Sequence, residues 1–174
     1  MRKKRLLQLT AALLCAVILS ACGGAPADAD YTCTVSISCA TILDNMDQCA
    51  ESKKELVPAD GVILPPTEVA FAEGESAFDV LQRVCRDNGI HLESKFTPVY
   101  NSAYIQGIHN IYEFDVGKLS GWMYAVNDWF PNYGCSLYQV QDGDVIRWVY
   151  TCDLGADVGG GQAAGDGQQE GART

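Results

Sequence analysis

Histidine is nearly absent: His91 and His109 are the only two in 174 residues. Their separation matches no zinc-ligand spacing, and no C-x-x-C occurs anywhere, which argues against both a zinc site and a thioredoxin-like dithiol. G-x-S-x-G, H-E-x-x-H and a glycine-rich phosphate loop are missing as well. No metal and no cofactor are therefore expected. A Cys85–His109 nucleophile pair is conceivable, since cysteine needs a base to form thiolate. No third, orienting group accompanies it. Basic residues are scarce, twelve against 22 acidic ones. Repulsion from phosphates opposes the counterion release on which nucleic-acid binding depends, so that partner class is excluded.

Long hydrophobic runs are lacking too. The chain starts with four positive charges at positions 2–5 and an apolar run from Thr10 to Leu19. That is the layout of a secretory signal, and it is short of the roughly 20 apolar residues a permanent span needs. Leu19-Ser20-Ala21-Cys22 resembles the bacterial lipoprotein box. The resemblance implies a signal peptide over residues 1–21 and a diacylglyceryl group on the sulfur of Cys22, whose two acyl chains suffice for a stable membrane anchor. Loss of residues 1–21 leaves eight basic against 22 acidic residues, a net charge of −14.

Residues 22–31 read as a flexible acidic tether and residues 155–174, rich in glycine, as a disordered tail. Between them, residues 32–154 have the length of one domain. Six cysteines fall there: Cys33, Cys39, Cys49, Cys85, Cys135 and Cys152. Outside the cell an even number suggests up to three disulfides among fifteen pairings. Cys135 with Cys152 is the favoured pair, through a hairpin turning at Asp142-Gly143-Asp144, while Cys85 also suits a buried free thiol.

YTCTVSISC alternates apolar and polar residues and predicts a half-buried strand. ATILDNMDQCAESKKEL predicts a short helix that carries Ile42, Leu43 and Met46 inward and closes at Pro58. Pro65-Pro66 divides the next stretch into two short strands. The clearest helix covers about residues 76–88, with Ser76 as N-cap, Asp79 at the positive end and Gly89 after the last turn. Phe78, Leu81, Val84 and Cys85 share its apolar face.

All three tryptophans lie between residues 121 and 152, among four tyrosines. In GWMYAVN, Trp122, Tyr124 and Val126 point one way and Met123 and Ala125 the other. In DVIRWVYTC, Ile146, Trp148, Tyr150 and Cys152 share a face. Trp122 and Trp148 are expected on one side of one sheet, chiefly as core. Asn127-Asp128 is turn chemistry, and the loop after it, with Trp129, Phe130 and Tyr133 beside Asn127, is the expected aromatic binding face. Trp122 and Tyr124 are its secondary candidates. Asp142-Gly143-Asp144 lacks the further ligands of a calcium loop, and Asp153 and Asp157 add only weak candidates.

Gly74-Glu75-Ser76 leading into a helix, Gly121-Trp122 through Tyr124, Val126 and Asn127, and Tyr138 to Gly143-Asp144, Ile146, Trp148 and Tyr150 form a recognisable set. With them the chain resembles a domain-of-unknown-function family of bacterial surface proteins, grouped with the C-terminal domain of transcobalamin and intrinsic factor. The resemblance spans nearly all of residues 33–154. It implies a small α+β domain, mainly antiparallel, with one packed helix. In the vertebrate carriers the related domain helps to enclose cobalamin together with a helical domain. A single such domain implies a corrinoid held from one side or with a partner.

The leading expectation is a non-catalytic, lipid-anchored extracytoplasmic module on the membrane or cell surface that captures a small ligand such as a corrinoid. An adhesion or protein-interaction module of the envelope is the alternative within that class. A small extracellular hydrolase using paired carboxylates is the alternative from another class.

Overall fold

The alternation in the first strand is realised directly. In the computed structural model, which describes residue 26 and residues 28–160, β1 (Tyr31–Ser38) buries Cys33, Val35 and Ile37 and leaves the intervening residues partly exposed. The signal segment and Cys22 lie outside the described residues. Among the described residues no helix is long and apolar enough to cross a membrane.

After β1 the chain forms two short 3-10 helices, Ala40–Asn45 and Glu51–Leu56, in place of the expected single α-helix. Neither has a side-chain cap. Uncapped ends and a run of Asn, Asp and Gln favour tight turns over a continuous helix. Ile42 is buried as expected, whereas Leu43 is exposed and Met46 half-buried.

β2 (Val62–Phe71) runs straight through Pro65-Pro66 as one strand. It is an edge strand paired only with β1, and the register shifts between the Val35–Thr67 and Ile37–Leu64 pairs. A bulged edge tolerates proline because the missing N–H leaves no neighbour unsatisfied.

The helix α1 (Ala77–Asp87) carries a full capping box. Ser76 Oγ accepts from the Asp79 amide at 3.2 Å and Asp79 Oδ2 accepts from the Ser76 amide at 2.9 Å. Ala77, Val80, Leu81, Val84 and Cys85 are buried, with Phe78 half-buried against the core. Buried Arg83 is paired: it donates to Glu75 Oε1 at 2.5 Å and to the Ala70 carbonyl at 2.7 Å.

A smaller antiparallel sheet follows, β3 (Leu92–Thr97), β4 (Ser102–Ile108) and β5 (Ile111–Tyr112), in the order β3-β4-β5. β6 (Gly121–Val126) and β7 (Val145–Thr151) complete the larger sheet, ordered β2-β1-β7-β6. β1 and β7 are parallel and the other pairs antiparallel. The architecture is α+β, as expected.

Register between β6 and β7 sets Trp122 opposite Tyr150 and Tyr124 opposite Trp148. The first pair meets edge to face with centroids 5.3 Å apart; the second stacks at 5.5 Å. Such contacts add about 0.5–1.5 kcal/mol beyond area burial. Residues 155–160, expected in the disordered tail, instead form a 3-10 turn (Ala156–Val158). Asp157 holds it by accepting from the Cys152 amide at 2.7 Å and from the Thr151 hydroxyl at 2.5 Å.

Candidate ligand-binding groove

Asn127 and Asp128 both adopt positive φ, 50° and 67°, a conformation that suits short polar side chains. Val126 and Trp129 exchange backbone hydrogen bonds of 2.8 and 2.9 Å across them. The Asn127 amide then ties this turn to the next one. It donates to Asp144 Oδ1 at 2.8 Å and accepts from the Val145 amide at 2.9 Å.

The 131–138 segment that follows is fixed from two sides. Tyr124 Oη donates to the Tyr133 carbonyl at 2.9 Å. The first amides of α1, which have no intrahelical partner, donate to the carbonyls of Tyr138 (2.9 Å, from Ala77) and Cys135 (3.3 Å, from Phe78). Ser136 Oγ accepts from the Ala103 amide at 3.0 Å and bonds Ser102 Oγ at 2.8 Å, joining the segment to β4. Gly134 allows this approach, because a Cβ there would overlap the Ser102 side chain.

The result is a groove with two neighbouring compartments between β4, β6 and this segment. The larger, of about 380 Å³, is lined by Thr97, Tyr100, Ser102, Tyr104, Asn132 and Tyr133 among others. The smaller, of about 180 Å³, is lined by Ile105, Trp122, Tyr124, Cys135 and Trp148. Ala103, Tyr104, Pro131 and Gly134 border both.

The lining is aromatic and carries no formal charge, with neither a carboxylate nor a basic side chain. Burial pushes the Cys135 thiol up to about 12. Burial, followed by the hydrogen bond to Glu113, pushes Tyr104 up to about 12. Tyr124 is raised further, mainly by burial. Such a surface suits stacking and apolar contact rather than proton transfer.

The expected site residues divide. Trp122, Tyr124 and Tyr133 line the groove. Trp129 is 46% exposed and packs edge-on against Tyr133, with centroids 6.0 Å apart, so it flanks the lining without joining it. Asn127 is exposed, but its amide is engaged in joining the two turns. Phe130 is a correction: it is buried, close beside Gly160, on the side covered by the C-terminal turn. Tyr100 and Tyr104 were not anticipated. Their signal was the paired tyrosines of YNSAY, one before and one inside a strand, which the sequence read only as strand and loop.

The six described cysteines are free, and the expected Cys135–Cys152 bridge is not formed. Cys135 lies in the long connection beyond Val126, its Sγ 3.7 Å from the Ala103 carbonyl. Cys152 follows the opposite end of β7, with its Sγ 3.8 Å from Thr41 Oγ1. The antiparallel register that pairs Val126 with Ile146 carries the two apart. Cys85 is buried on α1, its thiol pushed up to about 12 by burial, and no hydrogen bond joins it to His109. The His109 amide donates instead to the His91 carbonyl at 2.8 Å. The acidic turn is structural: Asp144 accepts from Tyr138 Oη and the Gln141 amide, and Asp142 from the Thr32 amide. Among the described residues no group of three or more metal-ligating side chains converges.

Residues 74–152 match the family described as domain of unknown function DUF4430. No curated protein matches the chain. The fold is similar to part of haptocorrin, solved in complex with Cbi, at a TM-score of 0.52 and 12% identity over 71% of this chain. The chain spans a quarter of the length of that protein, 25%. A protein from Ruminococcus gnavus ATCC 29149, provisionally described as metal binding, aligns at a TM-score of 0.42 and 15% identity over 70% of this chain and 97% of its own. The family match and the haptocorrin likeness agree with the resemblance read from the sequence: residues 74–152 match the DUF4430 model, and the α+β fold is similar to part of haptocorrin.

Proposed function

We propose that the chain is a non-catalytic, extracytoplasmic binding module, anchored through lipid on Cys22, that captures a small, largely neutral ligand with an extended planar face. A corrinoid fits that description. The observation that carries the reading is the uncharged aromatic groove, whose larger compartment of about 380 Å³ is flanked by Tyr100, Tyr104 and Tyr133. Tyrosines supply flat contact area while their hydroxyls keep the rim compatible with water. The likeness of the fold to haptocorrin, which was solved with Cbi, supports the ligand class. The absence of any carboxylate from the lining favours binding over the paired-carboxylate hydrolase.

Envelope adhesion is the second reading, favoured by one feature. Phe96, Val99 and Tyr100 at the β3–β4 turn are 59%, 86% and 73% exposed, an apolar tip suited to protein contact. Titration of the protein with cobalamin, cobinamide and glycans, followed by tryptophan fluorescence, separates the two readings. Saturable quenching by a corrinoid is expected, and no response to any corrinoid would overturn the corrinoid assignment.

A further inference from the structure

The two sheets protect their edges differently. β2 closes one side of the larger sheet with Pro65-Pro66 and a shifted register, both of which discourage a further strand. β3, at one side of the smaller sheet, has neither: it contains no proline, it pairs with β4 alone, and Glu93, Ser94, Lys95 and Phe96 are all exposed. Such an edge presents unpaired N–H and C=O groups to another strand. The register shift beside it falls on β4, since Glu93 pairs with Gly107 and Ser94 with Ile105, so β3 keeps a regular alternation. Leu92, Ser94 and Phe96 take one face, and Glu93 and Lys95 the other. Glu93 accepts from the Tyr112 hydroxyl at 2.8 Å, but among the described residues no ion pair engages either Glu93 or Lys95.

We infer that β3 is the docking edge for β3 of a second copy of this chain, antiparallel and centred on Ser94. In that register Glu93 of each copy faces Lys95 of the other, and Leu92 faces Phe96, all through one two-fold axis. Both charges gain a counter-charge, and the exposed Phe96 ring gains apolar cover. Centring the pair on Glu93 or on Lys95 instead sets like charges against each other, which is unfavourable. Charges on an edge ordinarily repel further strands; these exclude the wrong registers and admit the self-complementary one. The partner is therefore another copy rather than any extended peptide. Main-chain hydrogen bonds across the axis join the two three-stranded sheets into one. The contact is a single pair of six-residue strands, so the dimer is weak and reversible. This inference does not rest on the ligand reading.

A thiol placed on the axis tests it. Across an antiparallel pair the two Ser94 Cα atoms lie about 4.5–5.5 Å apart, inside the range of about 4.4–6.8 Å that a disulfide spans. The two Phe96 Cα atoms are offset by four residues, roughly 14 Å along the strands. Full-length Ser94→Cys and Phe96→Cys chains are treated with diamide, which takes up the two thiol hydrogens as the disulfide forms. Non-reducing gels read the dimer, with the unaltered chain giving the background of the native cysteines. Ser94→Cys is expected to form dimer above that background and Phe96→Cys is not. Adding Glu93→Lys to Ser94→Cys opposes like charges at both symmetric positions and should slow dimer formation about tenfold. Adding Lys95→Glu as well exchanges the two charges and should restore the rate. No dimer from Ser94→Cys above background, equal dimer from Ser94→Cys and Phe96→Cys, or no recovery in the exchanged-charge variant overturns the inference.

Discussion

Around α1 the core is aliphatic and closed. Val80, Leu81 and Val84 are buried on the helix, Ser76 and Asp79 cap its start, and the Arg83 guanidinium is paired. Between β4 and β6 the same core is aromatic and open, with Trp122, Tyr124 and Trp148 reaching from the buried sheet to a solvent-connected groove. The contrast teaches that aromatic residues of a sheet need not be core or binding surface alone. Their size lets the inner part of the ring pack while another part forms a wall.

Mutations break the comparison from either side. Leu81→Ala, in the closed region, is expected to cost about 2–5 kcal/mol and to leave ligand affinity unchanged at temperatures where the variant is folded. Urea denaturation and a binding titration measure the two effects separately. Gly134→Val places a branched side chain against Ser102 and is expected to cost about 1–3 kcal/mol. It should also abolish binding by displacing the segment that closes the groove. Tyr133→Ala, in the open region, should change stability by no more than about 0.5 kcal/mol. Its affinity should fall by about tenfold, equal to about 1.4 kcal/mol.

A further effect concerns pH. Burial raises the Cys33, Cys39, Cys85 and Cys135 thiols from 9.0 to about 12 in the folded protein. In the unfolded chain they ionise near their ordinary value, so between pH 9 and 12 the folded state binds more protons. Their contribution is fully present below about pH 9 and is lost as pH rises toward about 12. Urea midpoints measured at pH 8, 9 and 10 should therefore fall, with the larger drop between pH 9 and 10. In the same protein at neutral pH, Cys152, the one cysteine of the six that is not fully buried, should be the first to react with a thiol reagent.

The parts of the fold legible in the sequence were those governed by local rules. The capping box at Ser76, the alternation of β1, β6 and β7, and the left-handed turn at Asn127-Asp128 all follow from short-range sterics and hydrogen bonding. Long-range pairing was not legible. The parallel β1–β7 contact joins residues more than a hundred positions apart, and it leaves β2, with the exposed Pro65-Pro66, at the edge of the sheet. The candidate site was half legible for the same reason. Trp122, Tyr124 and Tyr133 stood out within one aromatic stretch, but Tyr104 comes from another sheet. Phe130 was misplaced because its neighbour Gly160 belonged to a stretch read as disordered, and apolar residues on loops are buried whenever a later segment folds over them.

The central claim is that the uncharged aromatic groove is the ligand site. Equilibrium dialysis of cobinamide against the unaltered chain, Tyr104→Ala/Tyr133→Ala and Phe96→Ala tests it most directly. The account predicts saturable binding to the unaltered chain, a loss of at least tenfold in the double variant, and no change in Phe96→Ala, which alters the exposed β3–β4 region outside the groove lining. Equal affinity in all three, or a loss confined to Phe96→Ala, would contradict it.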